Sequence, residues 1–154
     1  MAGVHRLMSG RYPPMSGEGA RTVGGRWNPP DSFPTLYLGS TLDTVVAEVA
    51  RGFAAQGRRI EEAVGLVVYD YDVDLRAVLD LRGEASLEVV GLTAADIGAP
   101  ARRRCQGVGD AAHYVGVEAI FAQSAVGDGY VLAVFTDKQG PDSVITYGLP
   151  TQWP

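Results

Sequence analysis

Cysteine and histidine are both scarce in this sequence. Cys105 is the one cysteine among 154 residues, so an internal disulfide is excluded and a reducing compartment is indicated. His5 and His113 are the two histidines, and neither belongs to an HxxxH or Cys/His cluster of the kind that binds zinc. Neither has a serine or aspartate pattern that would predict a hydrolase triad. We therefore expect no metal centre.

Net positive charge and long apolar runs are also missing. Lys and Arg number 13 against 18 Asp and Glu, which gives a formal charge of −5. Non-specific nucleic-acid binding needs a large cationic surface, which this charge balance argues against. The short run Arg102-Arg103-Arg104 is interpreted as a solvated helix end, with a docking patch as the alternative. No apolar run approaches the ~18 residues of a membrane span, and no charged-then-apolar leader opens the chain. We expect a cytoplasmic protein without direct contact to nucleic acid or membrane.

The composition that remains is that of an ordinary globular domain, with 46% hydrophobic and 20% charged residues. The length fits a single domain over residues 1–154. Apolar patterns predict strands at residues 4–8, 35–38, 65–71, 78–81, 117–123, 130–135 and 143–147. Helices are predicted from 40–43 to 56–59 and at 84–90, 93–97 and 102–115, while residues 9–23 are expected to form a long loop. This mixture predicts an α+β fold.

Three aspartates alternate along one of these strands. Asp70, Asp72 and Asp74 share a strand face instead of surrounding a turn with glycine, as the ligands of hard cations usually do. We interpret them as a solvated edge, with a metal site as the alternative.

The stretch from residue 24 to residue 48 concentrates the side chains that suit chemistry. Gly24-Gly25 precedes Arg26 and Trp27, and the prolines at 29 and 30 stiffen the loop that carries them. An arginine on a stiff loop presents a guanidinium fork to phosphate or carboxylate. Tyr37 follows on a short β-prone segment. We expect this loop and strand to form one wall of a binding site.

A helix that carries Glu48 follows this strand. Ser40 and Asp43 have capping-box spacing, and an apolar stripe of Leu42, Val45, Val46, Val49 and Phe53 predicts the buried face. Helical geometry places Thr44, Glu48 and Arg51 on a face beside that stripe, so Glu48 is expected at the border of a cleft. The alternative is an exposed glutamate paired with Arg51 or with nothing.

The motifs GGRWNPP, LYL before a helix, Ala47-Glu48 within it and Gln123-Ser124-Ala125 after a strand together resemble the RES domain. That family, named for Arg, Glu and Ser, is the toxin half of bacterial type II toxin–antitoxin pairs. The resemblance implies an ADP-ribosyltransferase-like split β-sheet core with surrounding helices and cleavage of NAD⁺ at its nicotinamide–ribose bond. NAD⁺ is then the substrate and no cofactor is implied. The implied partner is an Xre-like helix-turn-helix antitoxin that covers the active site, with a homodimer possible inside the complex.

The resemblance also implies a role for individual residues. It assigns catalysis to Arg26, Tyr37 and Glu48, and substrate binding to Arg6, Trp27 and Ser124. This sequence departs from the family pattern in having Asp31-Ser32 after the prolines and Thr136-Asp137 after the last core strand.

Cleavage of NAD⁺ produces an oxocarbenium-like sugar and a neutral leaving group, so the site must supply a carboxylate beside the developing charge. The acceptor of ADP-ribose is water or phosphate in this reading. The alternatives are a mono-ADP-ribosyltransferase that modifies a protein, and a non-catalytic NAD-binding module. Protein-modifying enzymes often carry an acid or Gln two positions before the catalytic Glu, where this chain has Val46, and this favours NAD⁺ breakdown.

Overall fold

A mixed β-sheet organises the computed structural model, which describes Met1 and residues 3–154. Over these residues the strands are β1 (Val4–Ser9), β2 (Thr35–Gly39), β3 (Leu66–Asp74), β4 (Val78–Asp80), β5 (Ala119–Gln123), β6 (Tyr130–Phe135), β7 (Val144–Tyr147) and β8 (Thr151–Gln152). Their order is β4-β5-β6-β2-β1-β3-β7, with β8 also paired to β3. Only the β4–β5 pairing is parallel among these strands. The strand predictions are confirmed, but β8 was missed because it is very short.

The sheet is split between β1 and β2. These two strands share one paired position, His5 with Gly39, whereas β1 and β3 pair at six positions and β2 and β6 at five. The backbones of β1 and β2 therefore diverge after a single contact, and a cleft opens between the two halves of the sheet. The predicted α+β fold with a split sheet is confirmed.

Five α-helices surround the sheet over the described residues. They are α1 (Glu18–Val23), α2 (Leu42–Ala55), α3 (Glu84–Val89), α4 (Ala94–Gly98) and α5 (Arg103–Tyr114). A capping box formed by Thr93 and Asp96 starts α4, where the sequence predicted a helix. No helix in the described part of the chain is both long enough and apolar enough to cross a membrane.

The helix α1 lies inside residues 9–23, so the expectation of a continuous loop there is wrong. Tertiary contacts hold this short helix in place. The Thr35 amide donates to the Gly17 carbonyl at 3.3 Å, and the Asn28 side chain donates to the Ala20 carbonyl at 2.7 Å. A Cβ at Gly17 would lie 2.5 Å from the Thr35 nitrogen, so the helix begins where only glycine fits against β2. Local composition does not record such contacts.

The start of α2 differs by one residue from the predicted capping box. Thr41 is the N-cap residue, and its hydroxyl accepts the Thr44 amide at 3.0 Å. Because the helix begins after Thr41, Asp43 is not at the position from which a side chain reaches back to the cap. Leu42 is 42% exposed and leaves the predicted stripe, whereas Val45 is buried against β1.

One buried carboxylate joins the ends of several strands. Glu118 is 3% exposed and accepts hydrogen bonds from the backbone amides of Arg76, Ala77 and Gly140 at 2.6–2.8 Å. Burial alone would raise the pKa of Glu118, but the Ser143 hydroxyl and these amides outweigh it and lower the pKa to about 2. The carboxylate therefore favours folding in its ionised form.

We expect Glu118→Gln to lower the free energy of unfolding at neutral pH by about 1–3 kcal/mol, since the amide NH₂ replaces an acceptor facing N–H donors. In the parent protein the contribution is present above about pH 4.5 and is lost as pH falls through about 2, because the folded-state pKa is depressed. Denaturant unfolding at a series of pH values measures both effects. Glu88→Gln, on an exposed part of α3, serves as the control. Identical pH profiles for the parent and Glu118→Gln would contradict this account.

Candidate active site

A cavity of about 290 Å³ lies where β1 and β2 diverge. Its walls come from these two strands, residues 24–27, α2, the residue before α5 and the loop after β5. The polar and charged lining side chains central to the chemistry are Arg6, Arg26, Tyr37, Glu48, Arg51 and Arg102. The structure thus brings the predicted Arg26, Tyr37 and Glu48 to one cavity, as the sequence led us to expect.

Glu48 is half-buried and is held through one oxygen. Its Oε1 accepts the Ser124 hydroxyl at 2.6 Å and the Ala125 amide at 3.0 Å. Its Oε2 accepts no hydrogen bond from the described residues. Every fully buried side-chain oxygen among those residues has a hydrogen-bond partner, so Oε2 is not fully buried and is accessible. The alternative of a Glu48–Arg51 pair is wrong. Arg51 instead donates to the carbonyls of Ala125 and Gly98, each at 3.1 Å.

Ser124 supports this carboxylate. The residue is 8% exposed, and its hydroxyl donates to Glu48 while accepting the Val126 amide at 3.2 Å. A hydroxyl has one proton, which here is directed at Glu48. The structure therefore places Ser124 behind the carboxylate, and a direct bond from its proton to a ligand would require Glu48 to be released.

Arg26 also lines the cavity and is anchored to residues 96–101. One terminal nitrogen donates to the carbonyls of Asp96 and Ala101, both at 3.3 Å. Burial lowers the pKa of Arg26; Cys105 opposes this effect, and the like charges of Arg102 and Arg51 add to it. The Arg26 guanidinium nevertheless stays protonated. Repulsion among the positive charges of Arg26, Arg51 and Arg102 therefore favours a bound anion beside them.

The hydroxyl of Tyr37 holds the 24–30 loop against β2. It donates to the Asn28 Oδ1 at 2.6 Å and accepts the Trp27 amide at 3.0 Å. Burial raises the pKa of Tyr37, so the phenol keeps its proton for Asn28. A Cβ at Gly25 would lie 2.5 Å from this hydroxyl, which explains why glycine is needed where the loop crosses the ring. Only the ring of Tyr37 remains available to a ligand.

Asn28 was missed as a functional residue. It is fully buried, its carbonyl oxygen accepts from Tyr37, and its NH₂ group donates to Ala20. The available signal was a polar residue between Trp27 and two prolines. A buried amide with all its groups paired specifies one loop conformation.

Trp27, which was predicted to bind substrate, lines the cavity but is almost completely buried, and its contact with substrate stays a prediction. Its side chain is 1% exposed and packs in the core with Phe33, Leu81 and Phe135. A ring enclosed on this scale has little surface to offer a ligand. Trp27 reaches the cavity lining while its indole fixes the loop to the core.

Arg6 lies at another side of the cavity, on β1. Its guanidinium donates to the Pro14 carbonyl at 3.2 Å, and the Tyr71 hydroxyl donates to the same oxygen at 2.6 Å. Burial lowers the pKa of Arg6, an effect that Tyr71 opposes. The structure therefore places this predicted ligand-binding arginine in the lining, attached to the segment before α1.

Guanidinium groups outnumber carboxylates around the cavity. Among the described lining residues, Arg6, Arg26, Arg51 and Arg102 face one acid, Glu48, in a chain whose formal charge is −5. Arg102, interpreted from sequence as a solvated helix end, is exposed but also lines the cavity. The cavity suits an anionic ligand with a cationic or electron-poor part beside Glu48. In the part of the chain that the structure describes, no group of three His, Cys, Asp or Glu side chains is placed to hold a metal.

Known proteins are similar to this chain in sequence and in fold. The model of the RES domain family matches residues 3–153. NAD(+) phosphorylase MbcT of Mycobacterium bovis and the proteins of that name from Mycobacterium tuberculosis are 36% identical over 129 residues, which is 82% of this chain and 69% of theirs. The fold is similar to one chain in the crystal structure of the M. tuberculosis MbcT–MbcA toxin–antitoxin complex, with a TM-score of 0.81 and 30% identity over 97% of this chain and 82% of that one.

Two glycines of α5 provide a matched test of how the 24–30 loop is seated. A Cβ at Gly109 would lie 1.7 Å from the Trp27 carbonyl oxygen, whereas nothing lies within 4 Å of a Cβ at Gly107. We expect Gly109→Ala to lower the free energy of unfolding by about 1–3 kcal/mol because helix and loop must separate. Gly107→Ala should raise it by up to about 1 kcal/mol through helix propensity. Denaturant unfolding of both variants measures their free energies of unfolding. Equal values for the two variants would contradict the close packing of Gly109 against Trp27.

Proposed function

Because the chain belongs to the RES domain family, we propose that it is the toxin of a bacterial toxin–antitoxin pair and consumes NAD⁺ by transferring ADP-ribose to phosphate. The relatives named as NAD(+) phosphorylases support this reaction, and the cationic cavity beside Glu48 supports this substrate. NAD⁺ is the substrate in this proposal, and no separate cofactor is needed. The cytoplasmic location remains a prediction.

The observation that carries the proposal is the state of Glu48. One of its oxygens is fixed by two donors while the other is accessible at the cavity. When the bond between nicotinamide and ribose breaks, positive charge moves from the pyridinium nitrogen to the anomeric carbon and ring oxygen. A carboxylate that is already oriented stabilises this charge without reorganisation. Oε2 can also accept a hydrogen bond from a ribose hydroxyl.

The remaining lining residues suit the rest of the dinucleotide. Arg26, with one nitrogen anchored to backbone carbonyls, keeps other donors for the diphosphate. The ring of Tyr37 offers an aromatic face to the cationic nicotinamide, an attraction on the order of 1 kcal/mol. Arg6 extends the cationic lining to β1. Ser124 acts through Glu48, as a positioning residue.

An enzyme that consumes NAD⁺ must be inhibited until it is needed. We propose an antitoxin that covers the cavity, since unregulated loss of NAD⁺ harms the host; the similar fold found in a toxin–antitoxin complex supports this. An Xre-like helix-turn-helix antitoxin and a homodimer within the complex remain proposals. Copurification of the chain with the product of a neighbouring gene, with nicotinamide release suppressed in the complex, tests the idea. A complex that retains full activity would count against coverage of the cavity.

Glu48→Gln tests the proposed reaction. We expect nicotinamide release from NAD⁺ to fall at least about 100-fold, because the amide removes the charge while keeping the shape of the side chain. Glu62→Gln, an exposed glutamate outside the cavity lining, is the control and should keep full activity. Nicotinamide release and products are followed by chromatography with and without phosphate.

The products separate the competing reactions. Phosphate should convert the product from ADP-ribose to ADP-ribose 1″-phosphate if phosphorolysis is correct. A labelled protein band after incubation of radioactive NAD⁺ with cell extract would favour protein ADP-ribosylation. If the unmodified chain binds NAD⁺ without turnover, the enzyme hypothesis is rejected and the hypothesis of a non-catalytic NAD-binding module is supported.

Ser124→Ala tests the positioning role. Removal of one donor leaves the Ala125 amide to hold Glu48, so we expect kcat to fall roughly 10-fold while KM for NAD⁺ changes little. A larger effect on KM than on kcat would instead indicate that Ser124 binds the substrate directly.

A further inference from the structure

Arg51 lines the cavity but has no role in the proposed reaction. Its guanidinium lines the cavity together with Glu48, one helical turn earlier on α2. We propose that Arg51 binds the acceptor phosphate and thereby determines that ADP-ribose is transferred to phosphate in preference to water. The proposal rests on the proposed function and assigns the acceptor side of the same site.

The two side chains are held by one residue of the loop after β5. The Ala125 amide donates to Glu48, and the Ala125 carbonyl accepts from Arg51 at 3.1 Å. Since both side chains bind backbone atoms of one residue, the guanidinium and the carboxylate are less than about 10 Å apart. A phosphate bound by Arg51 is therefore close to the sugar carbon that Glu48 stabilises.

The guanidinium is oriented but not saturated. Two of its nitrogens donate to carbonyls, to Ala125 and to Gly98. Arginine has five N–H donors, so donors remain for an oxyanion. The Nε of Arg51 has no hydrogen-bond partner among the described residues. Every fully buried side-chain nitrogen among those residues has a partner, so Nε is not fully buried and is accessible. A cation fixed before the ligand arrives loses little entropy when it binds phosphate.

The charge pattern favours more than one anion in the cavity. Arg102 and Arg51 both act on Arg26 as like charges and contribute to the lowered pKa of that residue. Such a cluster becomes stable when anions neutralise it. Arg26 and Arg102 come from the 24–30 loop and the start of α5. Arg51 comes from α2, and one of its carbonyl partners, Gly98, lies in the 96–101 segment that also anchors Arg26. Within this cluster, Arg51 is the arginine that binds the residue holding Glu48.

The chemistry also distinguishes phosphate from water. The bond between nicotinamide and the sugar carbon breaks with its electron pair going to the ring nitrogen, which becomes neutral. An ionised oxygen of hydrogen phosphate gives an electron pair to the sugar carbon, and the phosphate keeps its own proton. No general base is needed, whereas attacking water must lose a proton. A cation that concentrates and aligns phosphate is therefore sufficient to direct the transfer.

The competing explanation is a structural one, in which Arg51 only ties the end of α4 to the loop after β5. Arg51→Gln and Arg51→Lys separate the two explanations, with Arg103→Gln as the matched control. Arg103 is exposed on the first turn of α5 and does not line the cavity. Melting temperatures establish that the variants are folded. KM for phosphate, KM for NAD⁺ and the ratio of ADP-ribose 1″-phosphate to ADP-ribose are then measured.

For Arg51→Gln we expect KM for phosphate to rise at least about 10-fold and the share of ADP-ribose to increase, because a charge-assisted contact is lost. KM for NAD⁺ should change less than about 3-fold. Arg51→Lys should recover part of the phosphate affinity, because the charge returns without the fork. Arg103→Gln should behave like the parent. Equal losses with phosphate and water, or a rise in KM for NAD⁺ alone, would overturn the proposal.

Direct binding keeps this test independent of turnover. Titration calorimetry with inorganic phosphate, in the presence of ADP-ribose, should show binding by the parent and Arg103→Gln that is weakened at least about 10-fold in Arg51→Gln. Arg51-dependent phosphate binding in a chain that releases no nicotinamide would reject the proposed function and retain the site. Unchanged phosphate binding in Arg51→Gln would reject the site whether or not the chain is active.

Discussion

Two hydrogen bonds to a single oxygen of Glu48 are the constraint on which the rest of the site depends. Ser124 and Ala125 donate them from the loop that follows β5, so they tie α2 to the far half of the split sheet. The start of α2 is held by the same loop between β5 and β6, because the Thr44 hydroxyl donates to the Asp128 carbonyl at 3.3 Å. With one oxygen immobilised and the other accessible, the carboxylate is oriented in the cavity before any ligand binds. The divergence of β1 and β2 supplies the space in front of it.

The part of the cavity that carries Arg26 is a loop fixed by buried polar groups. The Tyr37 hydroxyl and the Asn28 amide satisfy one another and the surrounding backbone, and the indole of Trp27 anchors the loop in the core. Gln106 of α5 adds a hydrogen bond to the Gly25 carbonyl at 2.9 Å. Arg26 is therefore presented by a rigid segment, as a preorganised site requires. The cationic cavity in an acidic chain then concentrates anions where the surface as a whole repels them.

Several features of this arrangement were predictable. The spacing within α2 placed Glu48 and Arg51 beside the apolar stripe, and the motifs around Arg26 and Tyr37 indicated one site. The short helix α1 was not predictable, because contacts with β2 and Asn28 stabilise it. The burial of the Trp27 indole was not predictable, because an aromatic residue in a binding motif and one in a core look alike in sequence. Whether Ser124 faces a ligand or Glu48 depends on a contact 76 residues away along the chain.

The sequence by itself determined strands β1 to β7, the main helices and the face of α2 that bears the acid, because hydrophobic periodicity acts over short stretches. Only the tertiary structure decided which oxygen of Glu48 is occupied, which arginines gather at the cavity and which aromatic ring remains exposed to it. Those outcomes depend on hydrogen bonds and burial between segments far apart in the chain, and local patterns carry no record of them.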